Sequence, residues 1–399
     1  MRRTIFTIAT MDTKGAELEY LADCVRRTGA EVLTVDVGTL AKPSVLPNFS
    51  RQEVLQEAVL PQGDRGQAVT KMGEALRRFL LKQEESGRLA GVVGIGGSGG
   101  TALITAGIRA LPIGLPKVMV STVASGNTAP YVDCSDITMM YSVVDVAGLN
   151  VVSRSILSNA ARAIAGMASD RVVEDTSHAT LGMTMFGVTT PCVTAAREQL
   201  EQKGFDCLVF HATGTGGRAM ERLVDSGMIL GVLDITTTEV ADEIVGGVFA
   251  AGPTRFDSML KQQIPLVVSL GAVDMVNFGA FDSVPSEFRH RNLHAHNSQV
   301  TLMRTTPDEN RRIASWITEK LNRSKAPVTV VVPEGGVSML DAPDQPFYDP
   351  DADGALFQEL KSSLNVTDRR RIVWSPLHIN DPEFANLLAS EFLALKAAA

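Results

Sequence analysis

The sequence predicts an α/β protein built as two doubly wound, Rossmann-like parallel-sheet domains with an interdomain cleft. Three observations carry this. Apolar runs alternate with amphipathic stretches, joined by glycine-bearing loops, which implies parallel sheets with helices on both faces. The chain has 399 residues, 45% of them hydrophobic, which exceeds one ordinary core. The strand–loop–helix order also restarts near "VVEDTSHAT" (Val172–Thr180), placing the domains at 1–177 and 178–399. In such folds ligands bind at the carboxyl ends of strands, and two domains add a cleft.

The elements follow in order. "TIFTIA" (Thr4–Ala9) reads as a buried strand, and "GAELEYLADCVRRTG" as an amphipathic helix ended by Gly29. "EVLTVDV" is the next strand. "DRGQAVTKMGEALRRFLLKQEES" is a long helix with Asp64 as N-cap. "LAGVVGI" is a strand that runs into a glycine loop and a helix. "KVMVST" and "DITMMYSVVD" are further strands, the latter ending at Asp145, and "SRSILSNAARAIAGMAS" is a helix rich in small residues. In the second half, "ATLGMTMFGVTTPCV" opens a new unit with Pro191 at the first helical position. "MILGVLD" is a strand ended by Asp234, and "VTVVVPEGG" is another strand with its glycine loop. The stretch from "LGAVDMVNFG" to "TTPDEN" shows little periodicity, and a long irregular segment of this kind points to function.

Composition excludes several classes. The formal charge is −8 with no block of Lys or Arg, so a nucleic-acid partner is not expected. No window of about 18 uninterrupted apolar residues implies a membrane span, and the N-terminus lacks signal-peptide character. Cys24, Cys134, Cys192 and Cys207 form no CxxC pair. Reduced thiols in a cytoplasmic protein are the simplest expectation.

The loop "GVVGIGGSGGT" carries five glycines within seven residues. It spells GxGxxG at Gly94, Gly96 and Gly99, but it follows a later strand of its unit and no acidic residue ends the next strand, which argues against a dinucleotide site. No Lys-Ser/Thr pair closes it as a P-loop. A generic anion cradle remains over Gly96, Gly97, Ser98, Gly99, Gly100 and Thr101: backbone N–H groups at a helix amino end, with Ser98 and Thr101 as hydroxyl donors, or else a packing turn. Two loops should meet it. "TMDTKG" supplies Lys14 to neutralise phosphate, with Asp12 and Thr13 to position it or to cap the helix. "STVASGNTAP" supplies Ser121, Thr122, Ser125, Gly126 and Asn127 for ribose or phosphate. Asp145 is a candidate magnesium partner or a solvated strand end.

The second glycine loop, "HATGTGGRAM", spells GxGxxA at Gly214, Gly216 and Ala219, with Asp234 at fingerprint distance. It keeps NAD open there, or a substrate anion with Arg218 as clamp. In the aperiodic segment, His294 and His296 share a side if extended and would need Asp274 or Glu334 to complete a zinc or manganese site. Otherwise they bind backbone or substrate. Arg304 could grip a carboxylate bidentately, and Glu334 could act as a general base or sit in a turn. The acidic run Asp341–Asp353 reads as a surface loop, and Cys192 as structural.

Taken together, "TMDTKG", "GIGGSGGT", "HATGTGG", "VSLGAVDMVNFG", "HAHNSQVTLMRTT" and "VPEGGVSMLDAPDQPFYDPDAD" resemble the Tm-one-like ATP-binding domain family, named after a plant virus-resistance protein. The resemblance runs along essentially the whole chain. It implies two α/β domains with ATP on the amino-terminal one, held by the cradle from Gly96 to Thr101, Lys14 and the Ser121–Asn127 loop. Plant relatives carry a TIM-barrel domain, so a separately encoded barrel partner is expected. The combined expectation is an ATP- and Mg2+-dependent enzyme acting on an acidic small molecule at the interdomain cleft, with Arg304, His294, His296 and Glu334 on the substrate. A nucleotide-binding regulatory module and a histidine-based metal hydrolase or lyase are the alternatives. Small residues from Ala160 to Gly166 suggest a homodimer or larger assembly.

Overall fold

A computed structural model describes residues 3–61, 63–169 and 178–398. The chain forms two compact units, Met1–Glu174 and Asp175–Ala399. The expected boundary at 177/178 adjoins residues 170–177, outside the described ones.

The first unit holds strands β1 (Thr4–Ala9), β2 (Val32–Asp36), β3 (Leu89–Gly96), β4 (Lys117–Ser121) and β5 (Thr138–Tyr141). They form one parallel sheet in the order β2-β1-β3-β4-β5. Alternation along each strand feeds both faces. Ile5 and Ala9 of β1 join one core cluster with Val93 and Ile95, while Phe6 and Ile8 join the other with Val92. Near-continuous apolar strands are what a sheet covered on both faces requires. The helix Val151–Ser169 buries Ala160, Ala161 and Ala165 within this unit, so much of its small-residue face is already packed.

The second unit holds β6 (Ala179–Met185), β7 (Phe205–His211), β8 (Gly231–Thr236), β9 (Leu266–Gly271), β10 (Met275–Phe278), β11 (Leu293–Asn297), β12 (Val300–Arg304), β13 (Val328–Pro333) and β14 (Arg370–Ser375). Six are parallel, in the order β14-β13-β9-β8-β6-β7. In both units the second strand lies outside the first and the third lies on its other side. The chain therefore reverses its winding between β1 and β3, and again between β6 and β8, which opens a crevice at the carboxyl ends.

Three expectations need correction. The aperiodic segment is ordered: β10, β12 and β11 form an antiparallel sheet over a cluster of Phe186, Met275, Leu302 and Phe347. These strands are short and carry Asn277 and Arg304 facing inward, which erased the alternation. β5 stops at Tyr141, so Asp145 lies beyond the strand. Asp234 lies inside β8, fully buried, and not at its end.

Buried charge ties the second unit together. Arg255 donates through Nε to Glu239 at 3.0 Å, through Nη1 to Glu221 at 3.2 Å and through Nη2 to Asp234 at 2.9 Å. Burial works against the guanidinium's charge, but the three carboxylates outweigh it and raise its pKa. Burial also raises Glu221 and Glu239, against the pull of Arg255. Removing the one cation would strand three acids. Arg255→Met is expected to destabilise the second unit by about 3–5 kcal/mol. Trp316 and Trp374, the two tryptophans of the chain, both lie in this unit, so urea unfolding followed by their fluorescence reads it directly. An unchanged midpoint would refute the role given to Arg255.

Candidate functional site

A cavity of about 410 Å3 opens at the crevice of the first unit. Thr10, Asp12, Thr13 and Lys14 line it after β1, Thr39 and Leu40 after β2, and Gly97 to Gly100 after β3. Thr122 after β4, Asp145 beyond β5, and Arg65 complete its polar wall.

The glycine loop divides into two roles. A Cβ on Gly94 would lie 2.6 Å from Ile104 Cγ2, and one on Gly96 would lie 2.9 Å from the backbone of Gly100 and Thr101. Close packing explains both. Gly97, Gly99 and Gly100 have no such reason: the nearest atoms to their Cβ positions are at 3.8, 3.8 and 4.0 Å, and none has a positive φ. These three face the cavity. Gly97 caps the helix Ser98–Ile108 with no side-chain hydrogen bond at the cap. The first-turn N–H groups of such a helix lack intrahelical partners and favour an anion.

The helix Met11–Arg26 begins four residues earlier than expected, so Asp12, Thr13 and Lys14 belong to its first turn. Lys14 breaks the helical geometry (φ −130, ψ 26), and its ammonium donates to the Val146 carbonyl while lining the cavity. Asp12 Oδ2 accepts from Leu40 N at 3.0 Å and Ala41 N at 3.3 Å, fixing the loop after β2. Asp36 accepts from Met11 N and Gly38 N, and burial raises its pKa. Beyond β5, Val143 takes φ 64 in a γ-turn closed by Val144 N to Ser142 O at 2.7 Å, a strained conformation for a β-branched residue. Asp145, two residues later, lines the cavity.

Several expected ligands are corrected. Thr101 and Ser121 are fully buried and bond to each other at 2.6 Å, so they brace β3's helix against β4 and do not face the cavity. Ser125, Gly126 and Asn127 are exposed and are not among the cavity's lining residues; Asn127 accepts from Ala129 N. Of that loop, Thr122 reaches the cavity. Arg65, which the sequence reading did not single out, opens the helix Arg65–Glu85, and an Nη atom lies 3.8 Å from the Gly99 Cβ position. Its placement depends on how that helix packs, which local pattern does not encode.

The second glycine loop is different. A Cβ on Gly216 would lie 1.9 Å from His211 O, and one on Gly217 would lie 2.1 Å from Glu239 Oε2. Gly214 has φ 80. Glu239 Oε1 accepts from Gly214 N at 2.7 Å and Gly217 N at 3.0 Å. An internal carboxylate thus occupies the position an NAD pyrophosphate would need, and Asp234, the expected ribose partner, is buried on Arg255.

Arg304 is buried as well, which displaces it from the expected substrate role. It donates to Phe347 O at 2.7 Å, Thr305 Oγ1 at 3.0 Å and Asp353 Oδ1 at 2.7 Å. Asp341 and Asp353, expected at the surface, are both buried. Asp274 accepts from Ser338 Oγ at 2.7 Å. His294 and His296 lie on β11, His294 edge-on to Phe347 and His296 stacked on Phe186. Glu334 is exposed just after β13. Among the described residues no group of three or more His, Cys, Asp or Glu is placed to hold a metal ion. Burial pushes Cys192 up to about 12, consistent with a structural thiol.

These features define a two-unit α/β protein with a parallel sheet in each unit and, in the first, a cavity at the crevice beside a helix amino end. The chain belongs to the uncharacterised protein family UPF0261: residues 3–172 match its N-terminal domain and residues 178–396 its C-terminal domain. It is 54% identical over 396 residues to a UPF0261 protein of Rhizobium meliloti, covering 98% of each chain. It is 48% identical over 418 residues to the ToMV resistance protein Tm-1 of Solanum lycopersicum, covering 98% of this chain and 55% of that one. The chain thus spans about half the length of its tomato relative. Among the described residues no helix is long and apolar enough to cross a membrane.

Two expectations follow. Gly97→Ala and Gly99→Ala should leave thermal stability within about 1 kcal/mol of wild type, whereas Gly216→Ala should unfold the second unit, because its Cβ meets a carbonyl oxygen at 1.9 Å. Thermal melts followed by circular dichroism separate these. The second concerns pH. Burial raises Asp274 and Asp353, against Arg304. A carboxyl with a raised folded pKa binds more protons folded than unfolded, so its contribution is fully present below the unfolded value, near pH 4, and is lost as pH rises through the folded one. Asp353→Asn should flatten that decline from about pH 4 upward, measured as urea midpoints across pH.

Proposed function

We propose that the first unit binds ATP with Mg2+ and that the protein uses it for phosphoryl transfer to a small carboxylic acid. The observation that carries the nucleotide reading is the set of bare glycines at 97, 99 and 100: neither packing nor φ explains them, and they line a cavity beside uncapped helix N–H groups. Lys14 and Arg65 bring positive charge to the same wall. Phosphoryl transfer relies on positioning and charge stabilisation more than on covalent chemistry. A lysine and a row of N–H donors fit that task.

The chain's own groups would act as follows. The first-turn N–H groups cradle the phosphates. Lys14 turns from the Val146 carbonyl towards the terminal phosphate and stabilises the charge that develops there. Thr10, Thr13 and Thr122 offer hydroxyl contacts. Asp145, which lines the cavity, would hold Mg2+ directly or through water, and the ion would supply further neutralisation of phosphate charge. In the transfer, the bond from the γ-phosphorus to the bridging oxygen breaks, a carboxylate oxygen forms the new bond, and ADP leaves.

A second reading has support from the tomato relative. The family's tomato member is longer than this chain, which matches 55% of it, so the same fold serves there as part of a larger protein. A nucleotide-binding module that controls a partner, such as a TIM-barrel protein, fits that arrangement.

Calorimetric titration with ATP and Mg2+ tests the first step. Wild type is expected to bind, with Gly97→Val/Gly99→Val abolishing binding and Lys14→Ala weakening it at least tenfold. Binding that survives the double valine variant would sink the cradle. ADP release over hours, raised by a panel of small acids, favours the enzyme; intact ATP throughout favours the module.

A further inference from the structure

A second cavity, of about 600 Å3, adjoins the cradle and shares Thr39, Leu40 and Arg65 with it. Beyond these, Leu55, Val59 and Leu60 give it an apolar wall, and Arg51 and Asp64 also line it. Leu40 is 67% exposed and Val59 is 79% exposed, so two apolar side chains of this wall stand in solvent, while Leu55 and Leu60 pack in part against the core. Two neighbouring polar groups are already engaged. Arg51 donates to Ala41 O at 2.8 Å, and Asp64 caps its own helix by accepting from Gln67 N. Both keep their charge, and Arg65 is the charged side chain that lines both cavities.

The two cavities are also mechanically linked. Asp12, on the cradle, holds the backbone N–H groups of Leu40 and Ala41. The apolar wall thus takes its position from a residue of the polar site. A ligand that satisfied only one cavity would leave either bare N–H donors or exposed leucine and valine.

From this continuity we infer that the second cavity is the nucleoside subsite, so that the nucleotide lies in one direction: base and sugar against Leu40, Leu55, Val59 and Leu60, Arg65 beside the phosphate nearest the sugar, and the terminal phosphate at Lys14. The inference rests on the nucleotide reading above and adds the orientation and the residues that hold the base. Burying a flat ring against these side chains supplies affinity that inorganic triphosphate lacks. Each cavity falls in the range of about 300–1,000 Å3 usual for small-molecule sites.

The test compares ATP with inorganic triphosphate, both with Mg2+, by calorimetry on the full chain. The probe variant is Val59→Ser/Leu60→Ala, at two residues that line the second cavity and not the cradle, with circular dichroism as the control on folding. ATP affinity is expected to fall about tenfold or more while triphosphate affinity stays within about twofold of wild type. Arg65→Ala should weaken both ligands. If the double variant leaves ATP binding unchanged, or weakens both ligands equally, the subsite is wrong while the cradle stands. If wild type binds neither ligand, the nucleotide reading itself fails and the subsite with it.

Discussion

A helix that starts at the carboxyl end of a parallel strand presents backbone N–H groups with no partner in its own first turn. Something must accept from them, and the two units answer this demand in opposite ways. In the second unit, Glu239 is that acceptor: it takes the N–H groups of Gly214 and Gly217 and is itself held by Arg255. In the first unit, Gly97 caps its helix with no side-chain partner. The shared winding puts a crevice in each unit, but only the choice of acceptor decides whether that crevice is filled from within. The chain carries two loops of similar spelling, and one is a packing device.

The architecture was readable because strand alternation and helix periodicity are local signals. The N-cap at Asp64 is where its chemistry puts it, and Pro191 sits in the first turn of the helix Thr190–Gln202, one residue after its start. The antiparallel sheet was not readable. Its inward Asn277 and Arg304 look like surface residues until Asp242 and Asp353 are seen beside them. A buried polar residue can be told from an exposed one only by its partner, and here the partners lie tens of residues away.

The site was half readable for the same reason. Residues on the glycine loop and on "TMDTKG" are close to a helix start, so Gly97, Gly99, Gly100, Asp12, Thr13 and Lys14 could be picked from spacing. Thr101 and Ser121 have the right chemistry and the wrong direction: their hydroxyls satisfy each other. Arg65 has no local signature at all, because its approach to Gly99 is set by packing between two helices. The second loop matched the dinucleotide spacing better than the first, yet contacts to His211 O and Glu239 account for its Gly216 and Gly217. Spacing records that glycine is needed, and the neighbours record why.

The bond from Lys14 to the Val146 carbonyl spans 132 residues of chain. Glu17, one turn further along the same helix, accepts from the Gly148 N–H. A chain emerging from the ribosome therefore carries the glycine loop and the first helix long before it can close the site between them and the 145–148 segment. Loop closure over such a distance is slow and entropically demanding. The cavity's wall is complete only when nearly all of the first unit has been synthesised, so during biosynthesis it is a feature of the finished domain and not of an early intermediate.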